Sequence, residues 1–166
     1  ELSGQLDPED LRAVIAAYQS AAAAQIEKWG GYIARYMGDG ILVYFGYPQA
    51  HEDDPERAVH AGLDIIAKVN HLDVRPDLAL HVRIGVATGV VVAGDIIGEV
   101  ASEERVVLGV TPNLAARLQS LAEYDTVVIS DRTQRLTGGF FDYEDLGPHQ
   151  LKGIKDPENA WRVTGT

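Results

Sequence analysis

Cysteine is absent from the 166-residue chain, which excludes disulfides, zinc–thiolate sites and thiol catalysis. Long apolar runs are also absent, since none approaches the roughly 20 residues of a membrane-spanning helix, and no signal peptide is recognisable. Positive charge is scarce: 14 lysines and arginines stand against 25 aspartates and glutamates, for a formal net charge of −11. We therefore expect a cytoplasmic domain that binds neither nucleic acid nor a membrane.

The length and composition predict one domain with its own core, since 46% of the residues are hydrophobic and 23% are charged. Helical patterns follow three dipeptides that end in proline: Asp7-Pro8, Asp54-Pro55 and Thr111-Pro112. Asp7 and Asp54 are expected to cap the first two helices, and Asp131 is expected to cap a fourth, short helix. Predicted strands alternate with these helices at about residues 32–36, 41–45, 104–109, 125–130, 140–147 and 160–163, and residues 78–94 are predicted to form a pair of strands broken near Thr88-Gly89. This alternation predicts an α+β or α/β sandwich in which helices cover a mixed sheet.

The stretch RYMGDGILVYFG, residues 35–46, places Gly-Asp-Gly between two predicted strands. Glycine accepts the positive φ angles of hairpin turns, so the triplet predicts a tight turn. Asp39 at its centre is either a turn former or a carboxylate that holds a metal at the end of a buried strand. Taken alone, the stretch favours the turn former.

The stretch VVLGVTPNLAARLQS, residues 106–120, predicts a helix that carries Asn113 and Arg117 on one face, because they are four residues apart. An amide and a guanidinium near a helix N-terminus suit a sugar hydroxyl and a phosphate, although spacing alone also fits a solvated polar face. In LKGIK, residues 151–155, Lys152 stands beside a glycine and can swing onto a phosphate. By itself, that loop is better explained by a solvated surface lysine.

Taken together, four stretches resemble the catalytic domains of class III nucleotidyl cyclases, in the branch of bacterial and soluble adenylyl cyclases: YMGDGILVYFG, RIGVATGVVVAG, LGVTPNLAARLQS and LKG. Their order and approximate spacing match, and the resemblance covers nearly all of residues 1–166. It implies an α+β, ferredoxin-like sandwich and an enzyme that converts ATP to 3′,5′-cyclic AMP and pyrophosphate. Proteins of this branch are often fused to an ATPase module, so we expect additional regulatory or ATPase domains in the full-length protein.

The resemblance implies a role for each matching residue. Asp39 matches the second of two metal-binding aspartates, which hold two Mg²⁺ or Mn²⁺ ions that activate the ribose 3′-hydroxyl and stabilise the triphosphate. Asn113 matches the residue that orients the ribose. Arg117 matches the arginine that neutralises charge on the α-phosphate in the transition state. Lys152 matches a lysine that contacts the terminal phosphates.

The base-recognition positions depart from the family pattern. Arg35 stands where adenylyl cyclases usually carry a base-reading lysine, and Val106 stands where they carry an aspartate or threonine that accepts from the adenine amino group. Valine cannot accept a hydrogen bond, so it cannot discriminate adenine from guanine by polar contact. ATP is the default expectation, with two alternatives: a guanylyl cyclase, or a non-catalytic regulatory domain that binds nucleotide or a partner.

The resemblance also implies a head-to-tail homodimer with shared sites. Asp39 would come from one subunit, and the other residues named above would come from its partner: Arg35, Val106, Asn113, Arg117 and Lys152. The family's strand with the first metal-binding aspartate would precede Glu1, so we expect an N-terminally incomplete domain with half a metal site and little activity as a fragment. Asp7 and Asp10 cannot substitute, because they lie at a predicted helix start.

Overall fold

The computed structural model describes residues 7–37, 40–47, 49–72, 80–89 and 110–166. The elements follow in the order α1 (Pro8–Lys28), β1 (Tyr32–Met37), β2 (Gly40–Tyr44), α2 (Asp54–Asn70), β3 (Arg83–Val86), α3 (Val110–Leu121), β4 (Thr126–Ser130), α4 (Asp131–Thr137), β5 (Asp142–His149) and β6 (Glu158–Gly165). The expected α+β fold is confirmed, while the strand predicted at 104–109 lies outside the described residues. None of the described helices is long and apolar enough to cross a membrane.

Helix α1 begins and ends at the residues that its sequence indicates. Pro8 lies in the first turn with two acidic residues, and Lys28 lies in the last turn, so the charges complement the helix dipole. Asp7 occupies the N-cap position, but its side chain makes no capping hydrogen bond. The chain leaves the helix through Gly30, whose φ of +81° lies in the left-handed region that glycine favours.

Two predicted helix caps are displaced by one residue. Asp53 holds the cap position of α2, and Asp54 is the first residue of the helix. Asp54 is buried, and its carboxylate accepts the backbone N–H of His51 at 2.7 Å, so this side chain closes the preceding loop. Helix α4 is capped by Ser130, whose hydroxyl accepts a backbone N–H of the first turn at 3.2 Å, and not by Asp131.

The described strands form two sheets. Strands β1 and β2 pair as an antiparallel hairpin, and a bulge lies in β1 between Ile33 and Arg35. The second sheet has the order β3-β4-β6-β5, in which β3 runs parallel to β4 and the other neighbours are antiparallel. This sheet is therefore mixed, as the sequence predicts.

Helices cover both faces of the four-stranded sheet. On one face, Val59 of α2 packs in a cluster with Val127 and Ile129 of β4. On the other face, Leu118 of α3 packs in a cluster with Val128. Successive strand residues point to opposite faces, so β4 lies between α2 and α3. Helix α1 packs against α2 and extends the first cluster.

Helix α3 approaches the sheet most closely at Gly85 of β3. A Cβ atom at this position would lie 2.2 Å from the backbone oxygen of Ala115 and 2.5 Å from the backbone nitrogen of Gln119. Only glycine leaves room for two backbones at this separation. The contact fixes α3, and with it Asn113 and Arg117, against the sheet.

Candidate functional site

The polar face of α3 carries Asn113 and Arg117, as the sequence predicts. Asn113 is exposed and Arg117 is partly buried, whereas Leu118 is fully buried against the sheet. Ser120 lies one turn further along, and its hydroxyl donates to the backbone oxygen of Ala116 within the helix at 3.2 Å. Asn113 and Arg117 are therefore the side chains of this face that reach beyond the helix.

The loop between β5 and β6, residues 150–157, meets this polar face. Arg117 donates from Nε to the backbone oxygen of Lys152 at 3.1 Å, a contact between residues 35 positions apart in the sequence. Gly153 lies beside Asn113, because a Cβ atom on Gly153 would stand 3.8 Å from the Asn113 Nδ2 atom. The structure thus brings together Asn113, Arg117 and the backbone of Lys152.

Internal hydrogen bonds hold the loop in a tight turn. The N–H of Ile154 donates to the oxygen of Leu151 at 3.0 Å, and Gly153 takes a φ of +81°. The side chain of Gln150 closes the loop by donating from Nε2 to the oxygen of Ile154 at 2.9 Å. No motif in the sequence points to Gln150, since a single glutamine after a strand forms no pattern. The glycine after Lys152 is the local signal for this turn.

The site concentrates positive charge in an acidic chain. Within the described residues, neither Arg117 nor Lys152 takes part in an ion pair. Arg117 uses Nε for the Lys152 carbonyl, and its two terminal nitrogens make no hydrogen bond with the described residues. A guanidinium and an ammonium with free donors suit phosphate oxygens.

The remaining predicted site residues are not joined to this group in the described part of the chain. Arg35 is exposed on β1 and pairs across the hairpin with Leu42, and none of the hydrogen bonds or ion pairs described connects it to α3. Asp39 and Val106 lie outside the described residues. Those residues include no group of three or more His, Asp or Glu side chains that could hold a metal. The described residues do not by themselves form a site for two metal ions.

A second polar group joins the end of α1 to α2. Asp64 accepts from Trp29 Nε1 at 2.8 Å and from Lys28 Nζ at 3.2 Å. Burial opposes the ionisation of Asp64, yet these two hydrogen bonds hold the pKa of its carboxyl below its usual value. Arg57 donates from Nε to Asp53 at 2.8 Å. Because these charges neutralise one another, the group stabilises the contact between the helices rather than offering a ligand site.

Comparison with known proteins covers almost the whole chain. The family model of the adenylate and guanylate cyclase catalytic domain matches residues 1–165. The adenylate cyclase of Streptomyces coelicolor is 28% identical over 130 residues, which cover 77% of this chain and 28% of that protein. The chain spans no more than 20% of the length of three other curated relatives.

Solved cyclase structures share the fold. The crystal structure of the guanylyl cyclase Cya2 aligns with a TM-score of 0.82 at 32% identity, covering 99% of this chain and 85% of that one. The adenylyl cyclase CyaB from P. aeruginosa aligns with a TM-score of 0.76 at 26% identity, covering 99% and 87%. The family match and the shared fold agree, and the chain belongs to the family of adenylate and guanylate cyclase catalytic domains.

Proposed function

We propose that this domain is an adenylyl cyclase that converts ATP to 3′,5′-cyclic AMP and pyrophosphate. The observation that carries the proposal is the convergence of Asn113, Arg117 and the loop of Lys152, whose carbonyl accepts from Arg117 at 3.1 Å, in a member of the cyclase family. An amide and a guanidinium beside a loop that carries an exposed lysine match a ribose followed by a chain of phosphates.

In the proposed reaction, the ribose 3′-hydroxyl loses its proton and its oxygen bonds to the α-phosphorus. The bond from the α-phosphorus to the oxygen that bridges it to the β-phosphorus breaks, and pyrophosphate leaves. Asn113 orients the ribose, and the terminal nitrogens of Arg117 stabilise the charge that develops on the α-phosphate. Lys152 binds the terminal phosphates and keeps the leaving group in line.

Two Mg²⁺ or Mn²⁺ ions belong to the proposal, with Asp39 as one ligand; when bound, they would acidify the 3′-hydroxyl and stabilise the triphosphate. We place Asp39 in one subunit of a head-to-tail homodimer and the α3 group in its partner. Regulatory or ATPase domains elsewhere in the full-length protein are also proposed, because the chain spans only a small part of several relatives.

The direct test incubates the full-length protein with Mn²⁺ and either ATP or GTP and separates the products by chromatography. We expect cyclic AMP to be the main product. GTP is the second candidate, because the guanylyl cyclase Cya2 is 32% identical to this chain and CyaB is 26% identical. A dominant cyclic GTP product would reassign the substrate. No cyclic nucleotide from either would favour a regulatory, non-catalytic domain.

A mixing experiment tests the shared site. Asp39→Ala and Arg117→Ala should each be inactive alone, but a mixed head-to-tail dimer regains one intact site. Since half of the dimers are mixed and each has one working site of two, we expect recovery to about a quarter of wild-type activity. Asn113→Ala mixed with Arg117→Ala is the control, because both changes fall on the same side of the site. No recovery with the first pair would contradict the shared site.

A further inference from the structure

The loop between β5 and β6 carries a second lysine beside Lys152. Lys155 is three residues further along, and both lysines are exposed. An open hollow at the loop is lined by residues 150–155, so the two lysines border the same depression. Neither lysine forms an ion pair with any described residue. The sequence motif assigns a role to Lys152 but none to Lys155.

The backbone holds Lys155 at a fixed place relative to α3. Gln150 donates from Nε2 to the oxygen of Ile154 at 2.9 Å and lies 3.5 Å from the oxygen of Lys155. Leu151 packs against the Leu118 cluster of α3, and Arg117 binds the carbonyl of the next residue. The loop is thus fixed to the helix at one end and closed on itself at the other.

The distribution of charge favours this loop as the place where an anionic ligand binds. The chain carries a formal net charge of −11 and therefore repels an anionic ligand at long range. Several described cations elsewhere have carboxylate partners, as in the pair of Lys28 with Asp64. A triphosphate carries several negative charges, and a single ammonium meets only part of them. Arg117 binds the loop that carries Lys152 and Lys155, so three cations belong to the helix and loop at this site.

We propose that Lys155 is a second polyphosphate-binding lysine, which contacts the terminal phosphates of a nucleoside triphosphate beside Lys152. This inference rests on the proposed function of the α3 site. The terminal phosphates keep their charge both in the bound substrate and in the transition state. Lys155 therefore contributes to substrate binding, so its loss raises KM and leaves kcat nearly unchanged.

The test titrates inorganic tripolyphosphate into the full-length protein and measures heat. Lys155→Ala should weaken binding roughly tenfold, the scale of a lost charge-assisted hydrogen bond. Lys155→Arg keeps the charge and should stay within about twofold of wild type. The matched control is Lys68→Ala: Lys68 is also exposed, but it lies in the last turn of α2, on the other side of the sheet. It should bind tripolyphosphate as wild type does.

The outcomes separate this inference from the proposed activity, because tripolyphosphate binding needs no cyclisation. Weaker binding by Lys155→Ala supports the inference even if the protein forms no cyclic nucleotide. Wild-type binding by Lys155→Ala in a protein that makes cyclic nucleotide overturns the inference and leaves the activity standing. An equal loss of tripolyphosphate affinity in Lys68→Ala would mean that the substitutions act through long-range charge, and this result overturns the inference. No binding of tripolyphosphate by wild type also overturns it.

Discussion

Charged side chains are used differently in two regions of the molecule, the contact between α1 and α2 and the polar face of α3. In the first region the described ion pairs are short: Arg57 lies 2.8 Å from Asp53, and Lys28 lies 3.2 Å from Asp64. In the second region Arg117 donates to a carbonyl and forms no ion pair with the described residues. Paired charges stabilise the contact in which they lie, whereas unpaired cations keep their field for a ligand. The comparison explains the first region by folding and makes the second the better place for the proposed ligand.

The largest expected effect comes from Gly85, where α3 approaches the sheet most closely. Gly85→Ala would place a Cβ 2.2 Å from the backbone oxygen of Ala115, so α3 must shift. We expect a loss of about 3 kcal/mol or more in the free energy of unfolding, together with loss of cyclase activity. Urea denaturation and a cyclase assay measure both effects.

Gly62 of α2 is the matched position on the other face. A Cβ there would lie 3.2 Å from a methyl group of Val127 and 3.4 Å from a methyl group of Ile84, which are side-chain ends that can adjust. Alanine also favours a helix over glycine by about 1 kcal/mol. Gly62→Ala should therefore stay within about 1 kcal/mol of wild type. If Gly85→Ala and Gly62→Ala destabilised the protein equally, α3 would not pack more closely on the sheet than α2 does.

The next effect separates activity from stability. Arg117→Ala should lower turnover on the order of 100-fold, which corresponds to about 2.7 kcal/mol of transition-state stabilisation. The melting temperature of this variant should stay close to that of wild type, because the arginine has no ion pair among the described residues. Steady-state kinetics and thermal denaturation, run side by side, measure the two quantities.

Arg57→Ala is the reciprocal variant at the contact between α1 and α2. It removes the bonds to Asp53 at 2.8 Å and to the backbone oxygen of Trp29 at 3.3 Å. We expect a lower melting temperature with turnover within about twofold of wild type. If Arg117→Ala keeps full turnover and only raises KM, its assigned role in the transition state is wrong.

The smallest expected effect is the pH dependence of stability that comes from Asp64, at the contact between α1 and α2. The folded-state pKa of Asp64 lies below its unfolded value, because hydrogen bonds from Trp29 and Lys28 outweigh the effect of burial. Ionised Asp64 therefore stabilises the fold above about pH 4, and this contribution is lost as the pH falls through the folded-state pKa.

Asp64→Asn measures that contribution. Because the Asp64 side chain is 36% exposed, solvent screening limits the expected loss at neutral pH to about 1 kcal/mol or less. The difference from wild type should shrink in acid, as followed by urea denaturation at several pH values. Glu27→Gln, which removes an exposed charge from α1, is the control. A difference that stays constant with pH would mean that Asp64 acts through packing alone.

Local signals predicted the elements whose ends they define. Pro8 marks the first turn of α1, and the four-residue spacing on α3 puts Asn113 and Arg117 on one face, away from the buried Leu118. The caps of α2 and α4 were displaced by a residue: the Ser130 hydroxyl caps α4, whereas Asp53 occupies the cap position of α2 without a capping hydrogen bond, and Asp54 instead binds the backbone of His51. Adjacent polar residues compete for a cap, and the sequence does not rank them.

Long-range pairing was beyond the sequence signals. Strand β4 pairs with β6, so that Val127 faces Val163, and no local pattern encodes that partnership. The site is also built from long-range contacts. The motifs suggest roles for Asn113, Arg117 and Lys152, but the hydrogen bond between Arg117 and the Lys152 carbonyl joins positions 35 residues apart and has no local signal. Gln150, which closes the loop, shows its role only once the turn is folded.

The bulge in β1 absorbs one residue that β2 does not match. Ile33 pairs with Val43 and Arg35 pairs with Leu42, so Ala34 has no partner on β2. Directly paired residues lie on the same face of a hairpin, so Arg35 shares a face with Leu42 whether or not Ala34 is present. Deleting Ala34 would therefore remove the bend in β1 and leave both pairs in place. The length of β1 can vary by one residue at this point, because β2 sets the face on which Arg35 lies.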